Sequence, residues 1–159
     1  MCRLEIEGPV ARITLSRPDV FNALNVQLIS ELIEILHWTT NRSVFTLGDL
    51  KDSEGNENLR ILVLQGEGRH FCAGADIEEF QRCIDEGRIG PLVENLTSIL
   101  HPLQVRMRTD PTVLVAAMNG AAAGGGLGLA LACDARIAAP EAKLAAAFFK
   151  LGLSPDGGT

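Results

Sequence analysis

Apolar and polar residues alternate in two short runs near the start of the chain, over residues 4–7 and 10–15. A period of two is typical of strands, and the Gly-Pro pair between the runs marks a turn, so the pattern predicts a β-hairpin. After Asn25, a residue type that often caps helices, apolar residues recur at helical spacing over 28–36. This stretch predicts an amphipathic helix whose apolar side faces the core.

Further along, two short and continuous apolar runs cover residues 61–64 and 113–117. Runs of this kind predict strands that are buried on both faces, as in a parallel sheet. Weaker strand patterns cover 135–139 and 143–147. Helices are predicted in the intervening stretches, at 76–86, 92–108 and 126–133. This alternation of strands and helices favours an α/β fold with a largely parallel sheet.

Between about residues 39 and 58 the chain becomes polar and loses its periodicity. This composition is typical of a surface insertion. With 159 residues and 47% hydrophobic side chains, the chain can bury one core. We therefore expect a single domain over residues 1–159 that carries the insertion on its surface.

Charge and cysteine content narrow the possible partners and location. The net charge of −6 and the scattered basic residues provide no field for a nucleic acid. The four cysteines lack disulfide or metal-site spacing and are expected to be reduced core residues. No apolar run has the length of a signal peptide or a membrane span, so we expect a soluble, cytoplasmic protein without membrane contact.

Two segments rich in small residues follow predicted strands, and both are candidates for chemistry. Residues 70–77 lie between a strand and a helix, where small side chains let the backbone approach a ligand. The same segment also fits a tight turn with Asp76 as a helix N-cap. Residues 119–128 open a helix with free N–H groups, which suits an anion or a developing oxyanion. A phosphate site or close helix packing would fit that glycine-rich segment as well.

Four short motifs follow one another along the chain. They are Arg17-Pro18 with Asn22-Ala23-Leu24-Asn25, then Phe71-Cys72-Ala73-Gly74-Ala75-Asp76-Ile77, then Ala117-Met118-Asn119-Gly120, and finally Gly124-Gly125-Gly126. In order and spacing they resemble the enoyl-CoA hydratase/isomerase (crotonase) superfamily, over nearly the whole chain except the insertion. The resemblance implies an α/β fold built as a spiral of β-β-α units, here truncated after its core.

The resemblance also implies a site for an acyl-CoA thioester. The backbone N–H groups of Ala75 and Gly125 would form an oxyanion hole for the thioester carbonyl, where two preorganised donors stabilise an enolate. The implied substrate-binding residues are Asn22, Ala23, Leu24, Ala73, Gly74, Asp76, Ile77, Gly124 and Phe148. Coenzyme A would be part of the substrate, and no separate cofactor or metal is implied.

Hydratases of this family use two glutamates, and Gly128 and Phe148 stand at the matching positions. Neither residue can activate water, so hydration by that mechanism is not expected. An acid at the position of Asp156 serves related isomerases, and one carboxylate is enough to move a proton from the α-carbon to the γ-carbon. The resemblance therefore implies isomerisation with Asp156 as the base. Taken alone, the segment around Asp156 also fits an exposed turn.

His101 leaves a second activity open. By resemblance, Asp156 and His101 match the aspartate nucleophile and the water-activating histidine of 4-chlorobenzoyl-CoA dehalogenases. Phe148 stands where those enzymes carry a tryptophan, which weighs against dehalogenase-like or hydrolase-like chemistry. His101 as a partly buried helix residue or a pocket wall is the competing interpretation.

Members of the family continue past the position of Thr159 into a further helical portion, which completes the acyl pocket and much of the oligomer. A homotrimer or hexamer is therefore expected only where the full family fold is present. The non-enzymatic alternative is a CoA-binding fragment or assembly subunit without turnover.

Overall fold

The computed structural model describes residues 1–40, 59–152, 154 and 157. Within these residues the strands are β1 (Cys2–Glu7), β2 (Val10–Leu15), β3 (Ile61–Gly66), β4 (His70–Cys72), β5 (Val113–Met118), β6 (Ala121–Ala123), β7 (Ala135–Ala138) and β8 (Leu144–Ala145). The α-helices are α1 (Val26–Thr40), α2 (Ile77–Asp85), α3 (Ile89–Thr109) and α4 (Gly125–Ala132). The predicted hairpin is confirmed, because β1 and β2 pair antiparallel.

From β3 onward, successive strands alternate between two sheets. The larger sheet has the order β1-β2-β3-β5-β7 and the smaller one β4-β6-β8, and every pair after the hairpin is parallel. After the hairpin and α1, each unit contributes a strand to the large sheet and a short strand to the small one. Helices follow the first two such units. The chain thus advances as a spiral of β-β-α units, the architecture expected from the resemblance.

The core lies between the large sheet and helices α1 and α3. Leu28 and Leu32 of α1, Leu62 of β3 and Leu103 of α3 belong to one buried apolar cluster. Asn25 caps α1 as predicted, since its side-chain oxygen accepts a hydrogen bond from the Leu28 N–H at 2.9 Å. Helical spacing in the sequence therefore identified the correct buried faces.

Several details differ from the sequence-based predictions. Strands β3 and β5 were expected to be buried on both faces, but burial alternates along each strand, because the apolar helices cover one face of the sheet. Helix α1 continues through Thr40, so the start predicted for the insertion at residue 39 was too early. The rest of that insertion, residues 41–58, lies outside the described residues. Strands β4 and β6 were missed because three residues carry too little periodicity.

Candidate active site

The loop before α1 is held by one buried side chain. Asn22 is fully buried and has a left-handed backbone, with φ of +57°. Its side-chain oxygen accepts from the Arg17 N–H at 2.9 Å, while its amide nitrogen donates to the carbonyls of Glu67 and His70 at 3.0 and 2.8 Å. The Asn22 side chain is thus occupied inside the protein, and any ligand contact of this turn falls to other groups.

An ion pair joins this loop to the start of α2. The Arg17 guanidinium lies 2.9 Å from an Asp76 carboxylate oxygen, with both side chains at most 15% exposed. Arg17 also donates to the Ala23 carbonyl at 2.5 Å. The other carboxylate oxygen of Asp76 caps α2 by accepting from the Glu79 N–H at 3.3 Å. The interpretation of Asp76 as an N-cap is therefore confirmed.

Because this ion pair is largely shielded from water, we expect Arg17→Met to reduce the free energy of unfolding by about 2–4 kcal/mol. The methionine keeps the packing of the long side chain but leaves the Asp76 carboxylate without its cation. Urea unfolding measures the loss. The matched control is Arg3→Met, whose pair with Glu67 is 54% and 32% exposed, so solvent screens it and its loss should change the free energy of unfolding much less. Equal losses in the two variants would contradict the prediction.

The Ala75 amide is oriented by the pairing of its two neighbours. The Leu24 N–H donates to the Gly74 carbonyl at 2.7 Å, and the Asp76 N–H donates to the Leu24 carbonyl at 3.2 Å. In a parallel bridge of this kind, the residue between the two bonded neighbours turns its own N–H to the opposite side. The Ala75 N–H therefore points away from Leu24, and it donates no hydrogen bond to another backbone group within the described residues.

The Gly125 amide is the first N–H of helix α4. Gly124 precedes it as the N-cap, with φ of +48°, a backbone conformation that favours glycine. The Gly124 carbonyl accepts the first helical hydrogen bond, from the Gly128 N–H at 3.0 Å. An N–H at this first position has no acceptor within the helix and lies at the positive end of the helix dipole. Gly125 therefore presents a free donor.

Gly74 brings the two segments together. A Cβ atom at this position would lie 2.7 Å from the Ala123 carbonyl oxygen and 3.4 Å from the Gly125 nitrogen. Gly74 also has φ of +91°, which a larger residue rarely adopts. Gly74 therefore lets the segment that contains Ala75 pack closely against the backbone of residues 123–125.

Ala75 and Gly125 both line the same apolar cavity, which has a volume of about 260 Å³. Its walls come from all four helices and include Ile29 of α1, Phe80 of α2 and Leu96 of α3. Thr97 also lines it, but its hydroxyl donates to the Val93 carbonyl of its own helix at 2.8 Å. The cavity suits an apolar group whose one polar end meets the two amides.

Seven of the residues predicted for the site line this cavity: Leu24, Ala73, Ala75, Ile77, Gly124, Gly125 and Phe148. Four others lie behind its wall rather than in it. They are the buried Asn22, Ala23, Gly74 and Asp76, which shape the two loops through the contacts given above. The structure thus separates residues that face the cavity from residues that hold its walls in place.

His101 does not line the first cavity. His101 is exposed on α3 and lines a second cavity of about 500 Å³, which shares no lining residue with the first. It was expected to be a partly buried helix residue or a pocket wall. It is exposed, because the adjacent Leu100 takes the inward position of that turn, but it does form part of the wall of this second cavity. Asp156 lies outside the described residues. Phe148 is buried at the first cavity, whereas Phe149 is 76% exposed.

Apart from Ile77, sequence reasoning did not name the residues that α2 and α3 contribute to the cavity, which are Phe80, Val93, Leu96, Thr97 and Leu100. Those on α3 recur at spacings of three and four, which is the signal of a helix face. The spacing could have identified the face, but it could not distinguish a cavity wall from an ordinary core contact.

The thiol next to the site is not a nucleophile. Burial raises the pKa of Cys72 to about 12 and also raises the pKa of Cys133 to about 12. Because the thiolate is the reactive form, both remain neutral near pH 7. Cys72, Cys83 and Cys133 are buried and free, as predicted for core residues.

Within the described part of the chain, no three His, Cys, Asp or Glu side chains are close enough together to hold a metal ion. None of the described helices combines the length and hydropathy needed to cross a bilayer.

Comparison with known proteins identifies related sequences and folds. The enoyl-CoA hydratase/isomerase family model matches residues 5–159. A 1,2-epoxyphenylacetyl-CoA isomerase from Escherichia coli is 38% identical over 156 residues, which cover 97% of this chain and 53% of that protein. A probable enoyl-CoA hydratase from Rhodobacter capsulatus is also 38% identical, over 98% of this chain and 52% of its own length.

The crystal structure of an enoyl-CoA hydratase from Polaromonas sp. JS666 superposes with a TM-score of 0.83 at 34% identity, covering 99% of this chain and 55% of that one. The predicted fold is thereby confirmed. The chain spans about half the length of the relatives that it matches.

Proposed function

Because the chain belongs to the enoyl-CoA hydratase/isomerase family, we propose that it binds an acyl-CoA thioester with the carbonyl oxygen between the Ala75 and Gly125 amides. The observation that supports this proposal is the close packing of the two segments at Gly74, together with the fact that Ala75 and Gly125 line the same apolar cavity. An enolate places negative charge on a single oxygen. Two fixed donors in a site shielded from water stabilise that charge more than the neutral thioester.

The reaction that fits best is the shift of a double bond in an unsaturated acyl-CoA. Gly128 has no side chain and Phe148 is apolar, so neither position supplies a carboxylate for adding water. One base is sufficient for isomerisation. It removes a proton from C2 of a 3-enoyl thioester, and the electrons move onto the carbonyl oxygen. When the proton returns to C4, the double bond lies between C2 and C3. We assign the base to Asp156.

The residues that line the cavity favour an apolar acyl group. Leu96, Leu100 and Phe80 surround it, and the Thr97 hydroxyl is bonded within its own helix. The described side chains around the acyl group thus offer few hydrogen-bonding groups to a polar substituent. The thioester oxygen, by contrast, would be bound by the Ala75 and Gly125 amides. A plain hydrocarbon or aryl acyl chain fits this environment.

Three CoA esters offered separately to the protein test the proposal. A 3-enoyl-CoA should give the conjugated 2-enoyl thioester, a 2-enoyl-CoA should not gain water, and a 4-halobenzoyl-CoA should release no halide. Hydration of the 2-enoyl ester would contradict the argument from Gly128 and Phe148. Halide release dependent on His101 would favour the dehalogenase-like alternative. Binding of all three esters without turnover would indicate a binding protein.

A further inference from the structure

One side chain spans the backbone bridge that orients the Ala75 amide. The guanidinium of Arg17 donates through one terminal nitrogen to the Ala23 carbonyl at 2.5 Å and through the other to an Asp76 carboxylate oxygen at 2.9 Å. Ala23 immediately precedes Leu24, and Asp76 immediately follows Ala75. Arg17 therefore binds a neighbour of each residue in the Leu24–Ala75 bridge.

The backbone that carries this guanidinium is anchored as well. The Arg17 N–H donates to the Asn22 side-chain oxygen at 2.9 Å, and the Arg17 carbonyl accepts from the Asn22 N–H at 2.8 Å. The Arg17 side chain is only 15% exposed. Because a guanidinium is planar and its donors have a fixed geometry, two simultaneous hydrogen bonds set the separation of the two acceptors. Arg17 thus fixes the distance between the Ala23 carbonyl and the Asp76 carboxylate.

The Ala75 amide depends on the hydrogen bonds of its neighbours. Its own N–H donates to no other backbone group within the residues that the structure describes. The bridge consists of the Leu24 N–H bonded to the Gly74 carbonyl at 2.7 Å and the Asp76 N–H bonded to the Leu24 carbonyl at 3.2 Å. The longer of these two bonds is on the Asp76 side, where Arg17 binds. Loss of the Arg17 contacts would therefore loosen the bridge next to the Ala75 amide.

We propose that Arg17 is a positioning residue that fixes the orientation of the Ala75 N–H by joining Ala23 to Asp76. This inference rests on the proposed function, in which the Ala75 N–H binds the thioester oxygen. Arg17 is not among the described residues that line the apolar cavity, so it acts through Asp76 and the Leu24 segment and not on the substrate. A misaligned donor forms a weaker hydrogen bond, and the loss matters most when negative charge develops on the oxygen.

The first measurement needs no ligand. Nitrogen-15 relaxation of alanine-labelled protein gives the order parameter of the Ala75 N–H, whose signal is identified by its loss in Ala75→Gly. We expect about 0.85 in the native protein, the value of a rigid backbone, and less than about 0.7 in Arg17→Met. The order parameter should also fall in Asp76→Asn. The single side-chain oxygen of asparagine cannot occupy the positions of both carboxylate oxygens, one of which caps α2 while the other binds Arg17.

The second measurement separates catalysis from binding. In Arg17→Met, kcat for a 3-enoyl-CoA should fall about tenfold, whereas the dissociation constant of a saturated acyl-CoA should change by less than about twofold. Arg17→Lys retains a cation for Asp76 but has one nitrogen in place of the planar fork. Its order parameter at Ala75 should therefore lie between those of the native protein and Arg17→Met.

Two controls separate this effect from a general loss of stability. Leu32→Ala removes buried apolar packing from α1 but none of the hydrogen bonds around the bridge, so the Ala75 order parameter should stay at the native value. Arg3→Met removes an exposed ion pair and should change neither the order parameter nor kcat.

An Ala75 order parameter in Arg17→Met equal to the native value would overturn the proposal. An equal fall in Leu32→Ala would overturn it too, since loss of stability alone would then explain the result. If Arg17→Met does not fold, Arg17→Lys and Asp76→Asn decide the question by the same measurement. If the native protein neither binds a saturated acyl-CoA nor isomerises a 3-enoyl-CoA, the proposed function fails, while the order parameters still decide whether Arg17 orients the Ala75 amide.

Discussion

Asp156→Asn is expected to reduce the rate of double-bond isomerisation by about a hundredfold or more. Asparagine keeps the size and polarity of aspartate but cannot accept and return a proton, and general acid–base catalysis contributes about 10²–10⁴-fold. In a plot of kcat against pH, the fall at low pH reports protonation of the base. This fall should be absent from the residual activity of the variant. Initial rates with a 3-enoyl-CoA across a pH series measure both effects.

The affinity for the substrate should change little in this variant. In the proposed complex the Ala75 and Gly125 amides hold the carbonyl oxygen and the apolar walls of the cavity hold the acyl group, so neither contact depends on the base. Titration with a saturated acyl-CoA, which cannot react, gives the dissociation constant directly. Asp19→Asn changes an exposed aspartate in the short 3-10 helix Pro18–Val20, and this control variant should keep full activity. If the rate of isomerisation falls by less than about fivefold in Asp156→Asn, another residue is the base.

The sequence was most informative where a pattern extends over many residues. Helix α1 and the strands β3 and β5 were located correctly, because each contains a run long enough to show its period. Strands β4 and β6 have three residues each, in stretches rich in alanine, glycine and cysteine, and no periodicity can appear there. These two short strands nevertheless help to place the site, since the Ala75 segment directly follows β4 and the Gly124 segment follows β6.

Contacts between distant residues could not be predicted from any local pattern. Arg17 and Asp76 are 59 residues apart, and nothing in either segment indicates that their side chains pair. Gln104 would be assigned to the surface of α3 from its polarity alone, yet the close approach of Gly128 and Gly157 buries it. The two candidate donors are backbone N–H groups, which have no side-chain signature. Only the small residues around them, and the resemblance that those residues support, indicated where they lie.

Removal of the Gly125 N–H donor is also expected to lower kcat strongly. Gly125→Pro eliminates the N–H at the first position of α4, where proline is compatible with helix geometry. Loss of one oxyanion donor typically lowers kcat by about 10²–10³-fold, because the donor matters most when the negative charge develops. The dissociation constant for a saturated acyl-CoA should change far less than kcat. Steady-state kinetics and equilibrium titration of the same preparation separate the two quantities.

Gly125→Ala is the matched control, because alanine retains the N–H and adds only a methyl group. That methyl carbon would lie 3.0 Å from Cδ1 of Leu24 and 3.4 Å from Cδ2 of Leu100, and both atoms are ends of flexible side chains that can move slightly. The alanine variant should therefore keep kcat within about tenfold of the native value, whereas proline does not. Equal losses in the two variants would attribute the effect to crowding of the cavity, and an active proline variant would show that the Gly125 amide does not hold the oxyanion. If the Gly125 N–H is the donor, kcat should fall strongly in Gly125→Pro and not in Gly125→Ala.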